Sequence, residues 1–384
     1  MAEQRIPFFK PAIDDDDVSA VAESLRSGWL TSGPNVKALE TELADYCGAR
    51  HVNALNSATA ALHLALAAWD VGPGDEVITT PYTFSSTATV AIHTGATPVL
   101  ADVCEADFNI DPAQIERAIT ARTKVIIPVD FAGEPCDMDA IIAIARPRGI
   151  KVLSDAAHSV GSWYRDRPVG SIADATAFSF YATKNMTTGE GGALATDDAD
   201  LSERVRLLTL HGITKDGWGR YGAGGTWRYD IAEFGFKDNL TDLAAALGRR
   251  QLRKLDTLNE QRTHIAQRYF ANLRNEEHLI LPSFNEANRR AWHLFVVRVK
   301  NEQSPVARDQ VIEQLSERGI GTSVHFIPLH YFTAYQKRFG WPRGAFPVAE
   351  RLFEGAISLP LYPEMTDGDV DFVCEALREI LHPE

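Results

Sequence analysis

The sequence predicts an α/β protein with a large domain, built on a mostly parallel sheet flanked by helices, and a smaller C-terminal α+β domain. Between about residues 50 and 200, short apolar runs alternate with stretches of helical periodicity. The apolar runs are nearly continuous, which is typical of strands buried on both faces of a parallel sheet. The length of 384 residues also favours two domains over one compact core.

Six apolar runs predict the strands of the large domain. The first, HVNAL, leads into the helical pattern SATAALHLALAAW. The fourth leads into a helix, since apolar residues recur at the i, i+3, i+4 and i+7 positions from Met138. The predicted strands cover residues 51–55, 75–80, 97–103, 123–131, 151–157 and 174–180.

The region 241–273 reads as one long helix that bridges the two domains. We assign residues 1–250, including the N-terminal segment, to the large domain and 251–384 to the small one. No linker rich in proline, glycine or serine marks this boundary. The small domain is predicted as α+β from AWHLFVVRV, ARDQVIEQLSERG, GTSVHF and DGDVDFVCEALREIL.

Composition argues against several classes of function. The net charge of −14 argues against binding to nucleic acid or to an anionic membrane. The four cysteines have neither disulfide-framework nor zinc-site spacing, so we expect no metal. The N-terminus lacks the apolar core of a signal peptide, and the longest apolar stretch is too short to span a bilayer. These features predict a cytoplasmic protein.

One lysine, Lys184, stands among hydroxyl residues and glycines in FSFYATKNMTTGEGG. TTGEGG does not complete a dinucleotide fingerprint, and GxxxxGK[ST] is absent, so Lys184 is not a phosphate-loop lysine. Asp155 ends the predicted strand KVLSD, where it either faces a ligand cation or caps a helix.

Three more features fall at predicted strand ends. Ser57, Ala58 and Thr59 begin a helix, which suits either phosphate binding or an ordinary serine cap. Phe84 follows another strand and is either a platform for a ligand or part of the hydrophobic core. Ser179 lies at the end of the strand that precedes Lys184. An amine, a carboxylate, an aromatic ring and a phosphate cradle are together what pyridoxal 5′-phosphate (PLP) requires.

The chain resembles the fold-type I PLP enzymes and, within them, the sugar aminotransferases of the DegT/DnrJ/EryC1/StrS family. The resemblance covers nearly the whole sequence and includes IPFFKPAI, SGWLTSGP, SATAALHLAL, GDEVITTPYTF, DAAHSVG, FSFYATKNMTTGEGG, GFKDNLTDLAAALG, QLRKLD, GIGTSVHF and SLPLYP. KNMTTGEGG, GFKDNLTD, AWHLF and GIGTSVHF are most similar to the branch of UDP-4-amino-4-deoxy-L-arabinose–oxoglutarate aminotransferases.

This resemblance implies a role for each matching residue. Lys184 matches the Schiff-base lysine, and Asp155 matches the partner of the pyridinium nitrogen. The other cofactor matches are His158 near the ring 3-hydroxyl, Phe84 stacked on the ring, Ala58, Thr59 and Ser179 on the phosphate, and Asn239, which reaches the phosphate from the neighbouring subunit. The chain departs from many members at Asp130, where they have histidine.

The resemblance further implies a homodimer with shared active sites. The implied reaction transfers an amino group from L-glutamate to a nucleotide-linked keto-sugar, at C4 of a UDP-4-keto sugar, by a ping-pong route through pyridoxamine phosphate (PMP). Such enzymes serve polysaccharide biosynthesis, including that of lipopolysaccharide. Candidate substrate residues, each equally readable as packing or capping, are Trp29, Thr31, His325 and His330.

Two alternatives use the same fold. A PLP- or PMP-dependent sugar dehydratase is one, but such family members replace the lysine with histidine, so the retained Lys184 argues against it. A non-catalytic regulatory protein is the other, and the intact pair of Lys184 and Asp155 argues against that.

Overall fold

The computed structural model describes residues 5–214 and 228–383. The helices described are α1 (Asp15–Ser27), α2 (Pro34–Cys47), α3 (Ala58–Ala68), α4 (Ser86–Thr94), α5 (Pro112–Ala118), α6 (Met138–Ala145), α7 (Ala199–Thr209), α8 (Asp242–Leu273), α9 (Arg308–Glu317), α10 (Thr333–Phe339), α11 (Pro347–Gly355) and α12 (Asp367–Leu381). None of them is both long and apolar enough to cross a membrane.

The strands form a large sheet, a small sheet and a two-stranded ribbon. They are β1 (His51–Leu55), β2 (Glu76–Thr79), β3 (Thr97–Leu100), β4 (Thr123–Ile126), β5 (Lys151–Asp155), β6 (Trp163–Tyr164), β7 (Arg167–Pro168), β8 (Ala175–Ser179), β9 (Gly192–Thr196), β10 (Leu279–Ile280), β11 (Phe295–Val299) and β12 (Ala356–Leu359). Each of the six predicted strands is present, in most cases shorter than its apolar run.

The large sheet has seven strands in the order β1-β9-β8-β5-β4-β2-β3. Strand β9 pairs antiparallel with β1 and with β8, and the remaining pairs are parallel. Leu55 packs with α3 and α7 on one face, whereas its neighbour Ala54 packs with α2 and α8 on the other. The predicted fold class is therefore confirmed, because the sheet is covered by helices on both faces.

Side-chain caps set where several helices begin. In each case the side-chain oxygen of the N-cap accepts a hydrogen bond from a backbone N–H in the first turn, which stabilises a helix by about 1 kcal/mol. The residues that do this include Asp14, Ser57, Asp111, Asp137, Asp198, Thr241 and Thr366.

Helix α8 contributes residues to two hydrophobic cores. Its first half contributes Leu252 and Leu255 to the core beneath the large sheet. Its second half contributes Ile265 and Tyr269 to the core of the small domain, where the antiparallel sheet β10-β11-β12 packs with α9 and α12. The predicted boundary at residue 250 thus falls inside a continuous helix, and the change of core comes between 255 and 265.

The start of the chain packs differently from the predicted assignment to the large domain. Ile6 is buried in the core of the small domain. Its N–H donates to the carbonyl of Gly319, and its own carbonyl accepts from the N–H of Gly321. A contact between residues more than 300 positions apart leaves no local sequence signal.

Candidate active site

A cavity of about 530 Å³ opens at the carboxyl ends of β5 and β8, beside the start of α3. Ligands of open parallel sheets bind at this edge. Nine of the predicted site residues line this cavity, namely Ser57, Ala58, Thr59, Phe84, Asp155, His158, Ser179, Lys184 and His325. Four others, Trp29, Thr31, Asn239 and His330, do not line it.

Lys184 lies in the loop that connects β8 to β9. Phe180 fixes the base of this loop, since its N–H donates to the carbonyl of Gly191 at 2.8 Å and its carbonyl accepts from the N–H of Thr188 at 2.9 Å. Burial lowers the pKa of Lys184 to about 8, against the opposing effect of the Asp155 charge. An amine with this pKa both accepts and releases a proton near neutral pH.

Asp155 is the last residue of β5 and is 5% exposed. Its Oδ2 accepts a hydrogen bond from Thr87 Oγ1 at 2.8 Å, and its Oδ1 accepts one from the N–H of Ala157 at 3.3 Å. Burial raises the pKa of Asp155, while the Thr87 hydroxyl and the charge of Lys184 act in the opposite direction. No regular helix follows Asp155, so its carboxylate does not cap one and is suited to pair with a ligand cation.

Two hydroxyls in series support this carboxylate. Thr83 Oγ1 lies 2.8 Å from Thr87 Oγ1, and both residues are buried. Because the single hydroxyl proton of Thr87 is best used toward the carboxylate, Thr83 donates to Thr87 in turn. Thr87 was not among the predicted site residues.

The start of α3 forms a cradle for an anion. Ser57 caps this helix, since its Oγ accepts from the N–H of Ala60 at 3.1 Å. Ala58 and Thr59 occupy the first turn, where backbone N–H groups lack partners within the helix. Gly192 packs so closely on this turn that a Cβ there would lie 2.5 Å from the backbone nitrogen of Ala58.

His158 is neutral and its tautomer is fixed. Its Nδ1 accepts a hydrogen bond from the N–H of Ala132 at 3.3 Å, so the ring proton is on Nε2. Burial, followed by the charges of Lys184 and His325, lowers the pKa of His158 well below its ordinary value. The ring therefore offers a neutral N–H donor to a ligand in the cavity.

His293 also lines the cavity, and an amide network fixes its tautomer. Asn185 Nδ2 donates to the carbonyl of Ala291 at 2.6 Å and to Asn259 Oδ1 at 2.7 Å. Asn185 Oδ1 therefore faces His293 Nδ1, 3.1 Å away, and accepts its proton. His293 Nε2 is left as an acceptor, and burial lowers the pKa of this histidine well below its ordinary value.

Of the predicted substrate histidines, His325 lines the cavity and His330 does not. His325 Nδ1 is 2.8 Å from Ser358 Oγ, and burial together with the charge of Lys184 lowers the pKa of His325 to about 4. His330 is fully buried elsewhere, with its Nε2 2.9 Å from Glu350 Oε1. The packing interpretation therefore applies to His330.

The segment containing Trp29 and Thr31 lies outside the cavity of its own chain. The Trp29 indole N–H donates to the carbonyl of Ser32 at 3.1 Å, and its ring leaves no room for a Cβ at Gly33. Thr31 is exposed. Neither residue is among the described residues that line the cavity containing His325.

Asn239 also lies outside the cavity of its own chain. Its side-chain nitrogen donates to Ser32 Oγ at 2.7 Å, and its oxygen accepts from the ammonium of Lys237. Its backbone forms an antiparallel bridge with Leu55. The side chain is thus held outside the cavity of its own chain.

Asp130, where the sequence departs from many family members, is buried behind Asp155. Its carboxylate accepts hydrogen bonds from Ser159 Oγ at 2.7 Å and from the N–H of Cys136 at 3.0 Å. Burial raises the pKa of Asp130 to about 6. Its backbone N–H donates to the carbonyl of Asp155 at 3.2 Å, so it supports the site without lining it.

Three known proteins are similar to this chain in sequence or in structure. The chain is 51% identical to the spore coat polysaccharide biosynthesis protein SpsC of Bacillus subtilis, over 98% of this chain and 97% of that protein. Spr1654 of Streptococcus pneumoniae, provisionally named a sugar aminotransferase, is 37% identical in its PMP form with a TM-score of 0.91, over 98% of each chain. PseC of Helicobacter pylori, an aminotransferase of pseudoaminic acid biosynthesis, is 29% identical with a TM-score of 0.91, over 98% of this chain and 99% of that one.

The cofactor prediction is confirmed by the same comparisons, since Spr1654 has been solved with PLP as well as with PMP. The residues of this chain fit PLP. The amine of the half-buried Lys184, the carboxylate of Asp155 and the α3 cradle that Gly192 keeps open line one cavity. The model of the DegT/DnrJ/EryC1/StrS aminotransferase family matches residues 11–378. The chain belongs to the DegT/DnrJ/EryC1/StrS aminotransferase family and is a PLP-dependent sugar aminotransferase.

Proposed function

We propose that this enzyme transfers the amino group of L-glutamate to C4 of a UDP-linked 4-keto sugar. The observation that supports a sugar acceptor is the lining of the cavity around Lys184, which combines hydroxyl, imidazole and aromatic side chains. Among the described residues that line it, Lys184 is the only lysine and no arginine is present. Such a lining suits the hydroxyls of a sugar, with the anionic nucleotide held farther out. The choice of glutamate, UDP and C4 rests on the resemblance of KNMTTGEGG and GFKDNLTD to the UDP-4-amino-4-deoxy-L-arabinose branch.

PLP, when bound, supplies an electron sink next to the carbon whose amino group is exchanged. We assign Asp155 to the ring nitrogen, because a buried carboxylate keeps that nitrogen protonated. Phe84 would stack on the ring and His158 would donate to its phenolic oxygen. Ser57, Ala58, Thr59 and Ser179 would surround the phosphate.

Lys184 is the group that we expect to move protons. Its Nζ would take the proton from the α-carbon of glutamate and, in the second half of the reaction, deliver a proton to the sugar carbon. A pKa of about 8 suits both transfers, since neither protonation state is strongly favoured near neutral pH. The same lysine argues against the dehydratase alternative.

We also propose that the active unit is a homodimer in which Asn239 completes the phosphate site of the partner. Asn239 lies outside the cavity of its own chain. Residues just before it carry exposed apolar side chains, with Phe234 98% exposed and Ile231 55% exposed. Exposed apolar patches of this kind are typical of protein interfaces.

The dimer is tested by subunit exchange between an Asn239→Ala chain and a Lys184→Ala chain. In a mixed dimer, a shared site places both lesions at one site and neither at the other. About half of the sites in mixed dimers should then be active, while each homodimer is impaired. No recovery in confirmed mixed dimers would show that Asn239 acts within its own chain.

The substrate is tested with the PMP-loaded enzyme and a panel of UDP-, dTDP- and GDP-linked keto-sugars. We expect 4-keto sugars linked to UDP to restore the visible absorbance of PLP in a single turnover. Restoration only by dTDP- or GDP-linked ketones would overturn the nucleotide assignment and leave the aminotransferase in place. A deoxygenated product without an amine would instead identify a dehydratase.

A further inference from the structure

A cluster of two histidines and one glutamate lies in the small domain, apart from the active-site cavity. Glu276 and His278 belong to the turn between α8 and β10, and His382 follows the end of α12. We propose that these three side chains bind one zinc ion. The sequence did not indicate this site, because the two histidines are 104 positions apart and show no metal-site spacing.

The ligand atoms are already close together. One carboxylate oxygen of Glu276 and one nitrogen from each histidine lie within 4.8 Å of one another. His382 Nε2 is 3.0 Å from Oε1 and 3.2 Å from Oε2 of Glu276. Ligands about 2.0–2.1 Å from a tetrahedral zinc ion are roughly 3.3 Å apart, so side-chain adjustments alone would complete the site.

The surroundings of the cluster favour a bound cation. The side chain of Glu276 is only 4% exposed, and burial of a carboxylate is costly unless its charge is compensated. Its described partners are the His382 ring and the backbone N–H of His278, 3.2 Å away. His278 Nδ1 is itself buried and has no hydrogen-bond partner within the described residues.

The donor set selects the type of metal. Calcium and magnesium prefer six or more oxygen ligands, whereas two imidazoles and one carboxylate suit zinc, with a water molecule in the fourth position. None of the three residues lines the active-site cavity. The ion would therefore lie apart from the transamination chemistry and would tie the end of α12 to the turn after α8.

Zinc titration of the chelator-treated full-length protein, followed by calorimetry, tests this site. We expect one zinc ion per chain and a rise in Tm with zinc, since an ion that binds only the folded state stabilises it. His278→Gln and His382→Gln should each weaken zinc binding by about 100-fold or more, because each removes one of three direct ligands and loss of an outer-shell partner alone costs about 10-fold to 100-fold. Transaminase activity should be unchanged in both variants.

His264→Gln is the matched control. His264 Nε2 lies 2.8 Å from Asp367 Oδ1, so this pair resembles His382 and Glu276 but lacks the second histidine. This variant should bind zinc as the unmodified chain does. The proposal is overturned if the unmodified chain binds no stoichiometric zinc, or if His382→Gln, shown to be folded by its activity, binds zinc equally well.

Discussion

The Thr87 hydroxyl should control the charge of Asp155. Thr87 is fully buried, and its Oγ1 lies 2.8 Å from Asp155 Oδ2. Thr87→Val keeps the shape of the side chain and removes the donor. The carboxylate then retains the N–H of Ala157, at the longer distance of 3.3 Å, as its hydrogen-bond donor among the described residues.

The size of the effect follows from the type of hydrogen bond. A bond to a charged group contributes about 1.5–3 kcal/mol, and one pKa unit corresponds to about 1.4 kcal/mol. Thr87 lowers the pKa of Asp155 against the larger effect of burial. Removing Thr87 should therefore raise this pKa by a further ~1–2 units, so the carboxylate charge is lost at a higher pH in the variant.

PLP affinity of the apoprotein, measured by absorbance between about pH 5 and pH 8.5, reports this charge. Affinity falls on the acidic side as Asp155 becomes protonated, and Thr87→Val should move that fall to higher pH by about 1–2 units. Thr79→Val is the matched control. It removes an equally buried hydroxyl whose acceptor is the carbonyl of Ile127 at 2.8 Å, and it should leave the acidic fall in place.

The same substitution in an Asp155→Asn background separates a local charge effect from a packing effect. With no carboxylate at position 155, Thr87→Val should no longer shift the pH dependence. A shift of equal size in both backgrounds would show that Thr87 does not act through the Asp155 carboxylate, as would an unmoved acidic fall in Thr87→Val alone.

Three further predictions concern the same cavity. Reductive methylation of Lys184 in the apoprotein, followed by mass spectrometry, should reach half its maximal rate near pH 8, since burial lowers the pKa of this lysine to about 8. A midpoint above about pH 10 would contradict this. Asn185→Leu should lower kcat/KM about 10-fold, because His293 loses its tautomer-fixing acceptor; an unchanged value would remove that role. Gly192→Ala should weaken PLP binding by ~5–100-fold through overpacking, whereas Gly72→Ala, whose Cβ meets only one atom at 3.6 Å, should not.

The central part of the site was predictable because it rests on strand ends. Continuous apolar runs located β1, β5 and β8, and the carboxyl ends of parallel strands meet at one edge of a sheet. This geometry brings Asp155, Ser179 and the start of α3 together around Lys184. The roles of these residues toward the cofactor rest on the family resemblance and remain predictions.

The supporting residues were not predictable from the sequence. Thr87 and Asp155 are 68 positions apart, and a threonine in a helix carries no sign of the carboxylate that it contacts. His293 depends on amide groups from two other segments. The sequence left His330 open between a substrate contact and packing, and only the structure shows Glu350 beside it.

Neither the direction of β9 in the sheet nor the packing of Ile6 could be predicted from the sequence. Five small and apolar residues, GALAT, fit a parallel or an antiparallel strand equally well, and tertiary pairing decides between them. Ile6 meets Ile320 only because both ends of the chain pack into one core. Such long-range contacts are decided by the assembled fold.

Peptide mapping after borohydride reduction of the PLP-loaded enzyme identifies the lysine that binds the cofactor. We expect this amine to be that of Lys184, the one lysine that lines the cavity in the described part of the chain. Reduction should fix one cofactor per chain on the peptide that contains Lys184, and Lys184→Ala should abolish both the label and transamination while the protein stays folded. Stoichiometric label on another lysine, or normal turnover of Lys184→Ala, would contradict the account.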